Sequence, residues 1–187
     1  NEDFGVFLEE AVNIYRSLAE QGVAISQFAV GWAHANGEGA PKDYEEAARW
    51  YRLAANQGYY RAQINLASLY RRGKGVPQDY EKAINLYTPN AERGIPLAQF
   101  WLGRMHHNGL GVAKNIETAV KWYKDAAELG YYQAQYRLSK AYVDGDGIKK
   151  DYHEAFRWAQ LGARTGYSKS ANLRTGFPII WESCIKK

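Results

Sequence analysis

The sequence predicts an all-α solenoid of antiparallel helix pairs, built from 36-residue repeats. Three observations carry that expectation. Gly-x-Gly turns recur at Gly37/Gly39, Gly73/Gly75, Gly109/Gly111 and Gly145/Gly147, each 36 residues after the last. A second series, Gly22, Gly58, Gly94, Gly130 and Gly166, keeps the same period without insertion or deletion. Between the two series, small and apolar residues fall at helical spacing, so each interval reads as a helix with one buried face. Such units stack because none buries its apolar face alone.

The elements follow in chain order. Residues 1–22 form a half unit, in which about 6 to 21 read as a second helix without its first. Four full units occupy 23–58, 59–94, 95–130 and 131–166, and 167–187 form a closing half unit and cap. Unit 59–94 is typical. Ala62, Leu66, Ala67 and Tyr70 place a first helix over Tyr60 to Arg72, with a small residue kept at Ser26, Ala62, Ala98, Ala134 and Ser170 for close helix approach. Glycines then end the helix. Asp79 caps the second helix, as do Asp43, Asn115 and Asp151 in the other units. Tyr80, Ala83, Leu86, Tyr87 and Ala91 form its apolar face, and Gly94 stops it. Pro89 lies inside this second helix and predicts a kink, either an outer irregularity or an adjustment of curvature. At the ends, Phe4, Phe7 and Leu8, and the tail residues Phe177, Ile180 and Trp181, read as caps over exposed end faces or as partner contacts.

These residues resemble the SEL-1-like repeats (SLR), relatives of the tetratricopeptide repeats. The resemblance rests on Ala62-Gln63, Leu66, Tyr70, Gly73, Gly75-Val76, Asp79, Ala83, Tyr87, Ala91 and Gly94, with Trp50-Tyr51, Ala54-Ala55, Trp122-Tyr123 and Ala126-Ala127 in neighbouring units. It covers residues 11 to about 173. Leu86 and Ile116 depart from the pattern, and Ala159 and Gly162 are expected to loosen the last second helix. The resemblance implies a right-handed α-α superhelix whose first helices line a concave side. It also implies an adaptor or scaffold role, common in bacterial envelope, secretion and host-interaction systems. A more specific alternative is an immunity protein that neutralises a secreted toxic effector. A lesser one is a cell-wall ligand binder or hydrolase, although the paired cysteines of cysteine-rich relatives are missing. The resemblance leaves bacterial envelope, periplasm and cytoplasm open as compartments.

First-helix positions that the fold does not use recur at i, i+4, i+7 and i+11, which places them on one face. The stripe includes Trp32 and Asn36, then Arg61, Asn65, Ser68 and Arg72, then Trp101, Arg104 and Asn108, then Arg137, Lys140 and Asp144. Its five basic residues and one acidic residue give +4, the net charge of the whole chain, so the remaining residues sum to zero. Trp and Arg are enriched at binding hot spots. We therefore expect a protein or peptide partner of acidic character at Trp32, Arg61, Asn65, Arg72, Trp101, Arg104, Arg137 and Lys140. The alternative is a solvated basic face. Self-association through the array ends is a further expectation. Nucleic acid is disfavoured because the chain has no basic tail and no RNA-binding signature.

Reactive groups do not converge in the sequence. His34 and His106 occupy the slot of Tyr70 and Tyr142, and read as packing substitutes that keep a hydrogen bond. Asp144-Gly145-Asp146-Gly147 lacks the closing glutamate of a calcium loop, with Ala155 in its place. The Gly-x-Gly turns lack a preceding strand and a third glycine, so they carry no cofactor signal. Cys184 is the one cysteine, which excludes an internal disulfide framework. No catalytic, cofactor or metal residue is expected, and no apolar run reaches the roughly 20 residues of a membrane span.

Overall fold

The computed structural model of the protein describes residues 2–166, with side chains described for 5–164. Among the described residues there are nine helices and no strand. They are α1 (Glu2–Glu20), α2 (Ala24–Asn36), α3 (Tyr44–Asn56), α4 (Tyr60–Arg72), α5 (Tyr80–Glu92), α6 (Pro96–Asn108), α7 (Ile116–Glu128), α8 (Tyr132–Asp144) and α9 (Tyr152–Gly166). The chain divides into two compact units, Asn1–Tyr87 and Thr88–Lys187, and the division falls inside α5. In the first unit each helix from α1 to α4 packs on the next, around Ala47, Tyr51, Ala62, Leu66 and Leu69. In the second, α6 to α9 do the same around Phe100, Val120, Tyr123, Leu138 and Trp158.

Two kinds of helix start alternate. The second helices are capped by side chains. Asp43 Oδ1 accepts the N–H groups of Glu45 and Glu46 at 2.9 and 3.1 Å, and Asp79, Asn115 and Asp151 cap α5, α7 and α9. Each such cap stabilises its helix by about 1 kcal/mol. The first helices have no side-chain cap and are tied differently. Gln27, Gln63, Gln99 and Gln135 each donate from Nε2 to a carbonyl eight residues earlier, that of Ala19, Ala55, Ala91 and Ala127, at 3.0–3.3 Å. Each of these carbonyls, in the last turn of the preceding second helix, also accepts the N–H of the glycine three residues on, so the glutamine adds a second bond to it. The glutamine is therefore a stitch between consecutive helices, a role its place in the repeat pattern does not reveal.

Several expectations need adjustment. Phe7 does not cap its end: it is 69% exposed, beside Val6 and Ile14 at 55% and 65%. One repeat later, the register of Ile14 and Tyr15 is held by Trp50 and Tyr51, both buried, because α2 packs over them from the side before α3, and among the described residues no helix stands before α1. Pro89 lies inside α5, where the sequence places it, and the helix continues to Glu92. Helix α9 also stays continuous through Ala159 and Gly162, anchored by buried Trp158. The cap residues Phe177, Ile180 and Trp181, together with Cys184, lie outside the described residues, as does the side chain of Phe4.

Candidate functional site

Tyr51 organises the first unit. It rises from α3, and its ring crosses Gly31 so closely that a Cβ there would stand 2.8 Å from Cδ1. The missing side chain at Gly31 lets the Tyr51 ring lie this close to the α2 backbone. The Tyr51 hydroxyl accepts a hydrogen bond from Asn65 Nδ2 at 3.1 Å. Around it, Trp32, Ala35 and Asn36 of α2 and Ser68, Leu69 and Arg72 of α4 line a half-open cavity of about 270 Å³, with Tyr44 on the wall. Trp32 is 41% exposed. Asn36 Nδ2 donates to the Trp32 carbonyl at 2.9 Å, and Arg72 Nε donates to the Ser68 carbonyl at 3.2 Å. Lys42 and Lys74 flank the Tyr44 ring, at 5.5 and 5.0 Å from its centroid. Burial pushes the Tyr44 phenol up, but the two ammonium groups outweigh it and hold the phenol below its ordinary value.

In the second unit Tyr123 repeats the arrangement over Gly103, where a Cβ would meet Cε1 at 2.6 Å. The charges of Arg104 and Arg137 reach this phenol, and the His107 ring lies 6.4 Å from it. Burial chiefly lowers the His107 pKa, Asp146 acts against it, and Arg137, Lys114 and Arg104 lower it further. Burial pushes both Tyr51 and Tyr123 up to about 12, from 10.0 for a free phenol. The Asn65 bond opposes this at Tyr51, as the arginine charges do at Tyr123. A phenol whose folded pKa exceeds its unfolded value stabilises the fold fully below pH 10, and loses that contribution as pH rises toward 12. Tyrosinate absorbance should therefore show phenols ionising near pH 12, and Tyr51→Phe should remove one of them.

The stripe residues have different fates. Trp32, Asn65 and Arg72 meet in one cavity. Arg61, at the far end of α4, donates to the Tyr60 hydroxyl at 3.1 Å and is not part of that cavity. Trp101 is partly buried, edge-on to Phe100 at 5.4 Å, with the Arg104 guanidinium 4.9 Å over its ring. Lys140 is paired with Asp144 at 2.6 Å, which largely neutralises its charge. Arg137 stands near Tyr123. Tyr51 and Tyr44 are the site residues that the stripe pattern omits. Glycine at Gly31, about two turns into α2, is the signal in the sequence that a large ring can lie across it.

Other chemistry is sparse. His34 keeps the expected hydrogen bonds: Arg16 donates to Nε2 at 3.1 Å, so Nδ1 carries the proton and donates to the Pro41 carbonyl at 3.0 Å. His106 departs from that expectation, since its Nδ1 is buried without a partner and burial lowers its pKa. Among the described residues, no group of three or more His, Cys, Asp or Glu side chains is placed to hold a metal ion. None of the described helices is long and apolar enough to cross a membrane.

The Sel1 repeat model matches residues 24–59, 61–94, 96–131 and 133–167. No curated protein sequence matches the chain. Among solved structures, a Sel1 repeat protein from Oxalobacter formigenes is 35% identical with a TM-score of 0.79, over 84% of this chain and 64% of that one. The protein c5321, a protective antigen of uropathogenic Escherichia coli displaying an SLR fold, is 39% identical with a TM-score of 0.79, over 83% of this chain and 33% of that one. This chain thus spans less than two thirds of either relative. Sel1 repeats are generally non-catalytic scaffolds for protein–protein interaction. With four matched repeats and the two structural relatives in agreement, the chain belongs to the Sel1 repeat family.

Proposed function

We propose that this chain is a non-catalytic binding module that holds a segment of an acidic protein partner on its first-helix stripe. Its working unit is the 36-residue repeat, at 23–58, 59–94, 95–130 and 131–166. The observation that carries the proposal is the cavity of the first unit, where exposed Trp32 stands beside Asn65, Ser68 and Arg72. An aromatic wall with adjacent donors is the composition of a binding hot spot, whereas a solvated basic face has no reason to expose a tryptophan over a cavity. Arg104 and Arg137 supply a second basic contact, in the second unit. Charges of this kind mainly steer association and choose partners.

The test is a paired capture from source cells, using the chain and a Trp32→Ala/Arg72→Glu variant checked for native helicity. The partner retained by the native chain should be lost by the variant. Titration calorimetry with that partner should then show binding weakened by about a hundredfold or more, as expected for two hot-spot losses. Identical partner lists would place the interaction elsewhere and end the proposal.

A further inference from the structure

We infer that the cavity beside Trp32 is a socket for one aspartate or glutamate side chain of the partner, a reading that rests on the protein-binding function proposed above. The carboxylate would be received by the Tyr51 hydroxyl and the Arg72 guanidinium.

The cavity's own chemistry selects that ligand. No carboxylate lines it. Tyr51 Oη already accepts a hydrogen bond from Asn65 Nδ2, so the hydroxyl's own hydrogen is what it has left to give. Arg72 uses Nε on the Ser68 carbonyl and forms no ion pair among the described residues, leaving its terminal N–H groups as donors. Ser68 adds a hydroxyl, and Lys42 and Lys74 add positive charge along the Tyr44 wall. The surplus is of donors and positive charge, and an anionic acceptor gains most from it, because a hydrogen bond to a charged group is about twice as strong as a neutral one. At about 270 Å³ the cavity lies below the range typical of cofactor and drug-sized sites and suits a single side chain. The exposed Trp32 ring would cover the methylenes of that side chain. The Tyr51 phenol stays protonated through neutral pH, since burial raises its pKa to about 12, so the donor is permanent.

The socket is tested by NMR on the full chain, following the Trp32 indole N–H and the side-chain amides of Asn36 and Asn65. The probes are blocked tripeptides: acetyl-Gly-Glu-Gly-amide, the same peptide with Gln for Glu, and acetyl-triglycine with a free C-terminal carboxylate. The Glu peptide should give saturable shifts at these groups, with the Gln peptide about tenfold weaker or more, the worth of a charge-assisted bond. Tyr51→Phe keeps the ring over Gly31 and should lower the Glu affinity by about tenfold and the Gln affinity by less, since the bond lost to a neutral acceptor is the weaker one. Arg72→Gln, at the exposed end of α4, should independently abolish the preference for Glu over Gln. No saturable shift with the Glu peptide, equal Glu and Gln binding, binding of the free terminus alone, or indifference to both substitutions would each overturn the socket. The two proposals fail separately. Loss of the partner by Trp32→Ala/Arg72→Glu without Glu preference would keep the binding surface and remove the socket. Glu-selective shifts with a partner retained by that variant would do the reverse.

Discussion

Gly75→Ala is expected to destabilise the first unit by about 4 kcal/mol or more, whereas Gly58→Ala should cost only about 1–2 kcal/mol. Both glycines hold left-handed backbone, with φ of 66° and 80°, so the conformational penalty of a side chain is nearly shared. Their surroundings differ completely. A Cβ on Gly58 meets nothing within 4 Å, but one on Gly75 would overlap the Tyr44 carbonyl carbon and oxygen and crowd the Glu45 nitrogen. These are backbone atoms at the start of α3, so no rotamer change relieves the overlap. The turn after α4 would have to lift away from α3, and the apolar contacts between α3 and α4 would open with it. Gly39 lies against the Leu8 backbone and Gly147 against Ile116 in the same manner, so these three turns seat on the second helix of the preceding repeat. Urea unfolding of the two variants measures the difference. Equal losses would mean that the turn is not seated so closely and that the glycine serves conformation alone.

The second large effect should be a coupling between Gly103 and Tyr123. Gly103→Val places a branched side chain where a Cβ already meets the Tyr123 ring at 2.6 Å and the Ala119 carbonyl at 3.1 Å, and should cost about 3 kcal/mol by overpacking. Tyr123→Ala alone should cost about 3–5 kcal/mol by leaving a cavity. In combination the valine fills part of that cavity, so the double variant should be more stable than the sum of the single losses by about 2–3 kcal/mol. The chain already contains such an exchange. One repeat on, Ser139 stands at the glycine position and Ala159 at the tyrosine position, and the Ser139 hydroxyl donates to the Ala155 carbonyl at 2.7 Å. Position 67 sets the limit on this effect: Ala67 coexists there with fully buried Tyr87, so Gly103→Ala should be far milder than the valine. Strictly additive losses in denaturant unfolding would show that the two positions do not share space.

The site was only half legible in the sequence. The stripe positions on the first helices follow from period alone, and Trp32, Asn65 and Arg72 do converge. Trp101 and Lys140 share the same stripe, yet one packs edge-on against Phe100 and the other is held by Asp144. Sequence spacing places a residue on a helix face. It does not say which neighbour that residue will find, because the neighbour's rotamer and the next helix decide that. Tyr51 shows the converse, since a residue assigned to folding supplies the polar floor of the cavity.

What the sequence determined by itself is the backbone. Among the described residues, twelve glycines of the two periodic series hold positive φ and no other residue type does so, and the span foreseen for α4, Tyr60 to Arg72, is the one observed. These features are local. A helix starts at a capping side chain, ends at a residue that tolerates left-handed backbone, and shows its apolar face every three to four residues, all within one stretch of chain. Only the tertiary structure decided the cavity, because its floor, wall and charge come from α2, α3 and α4 together. The ring of Tyr51 reaches that floor through a gap that Gly31 leaves some twenty residues earlier in the chain, and close packing across such a distance is not encoded in any one segment.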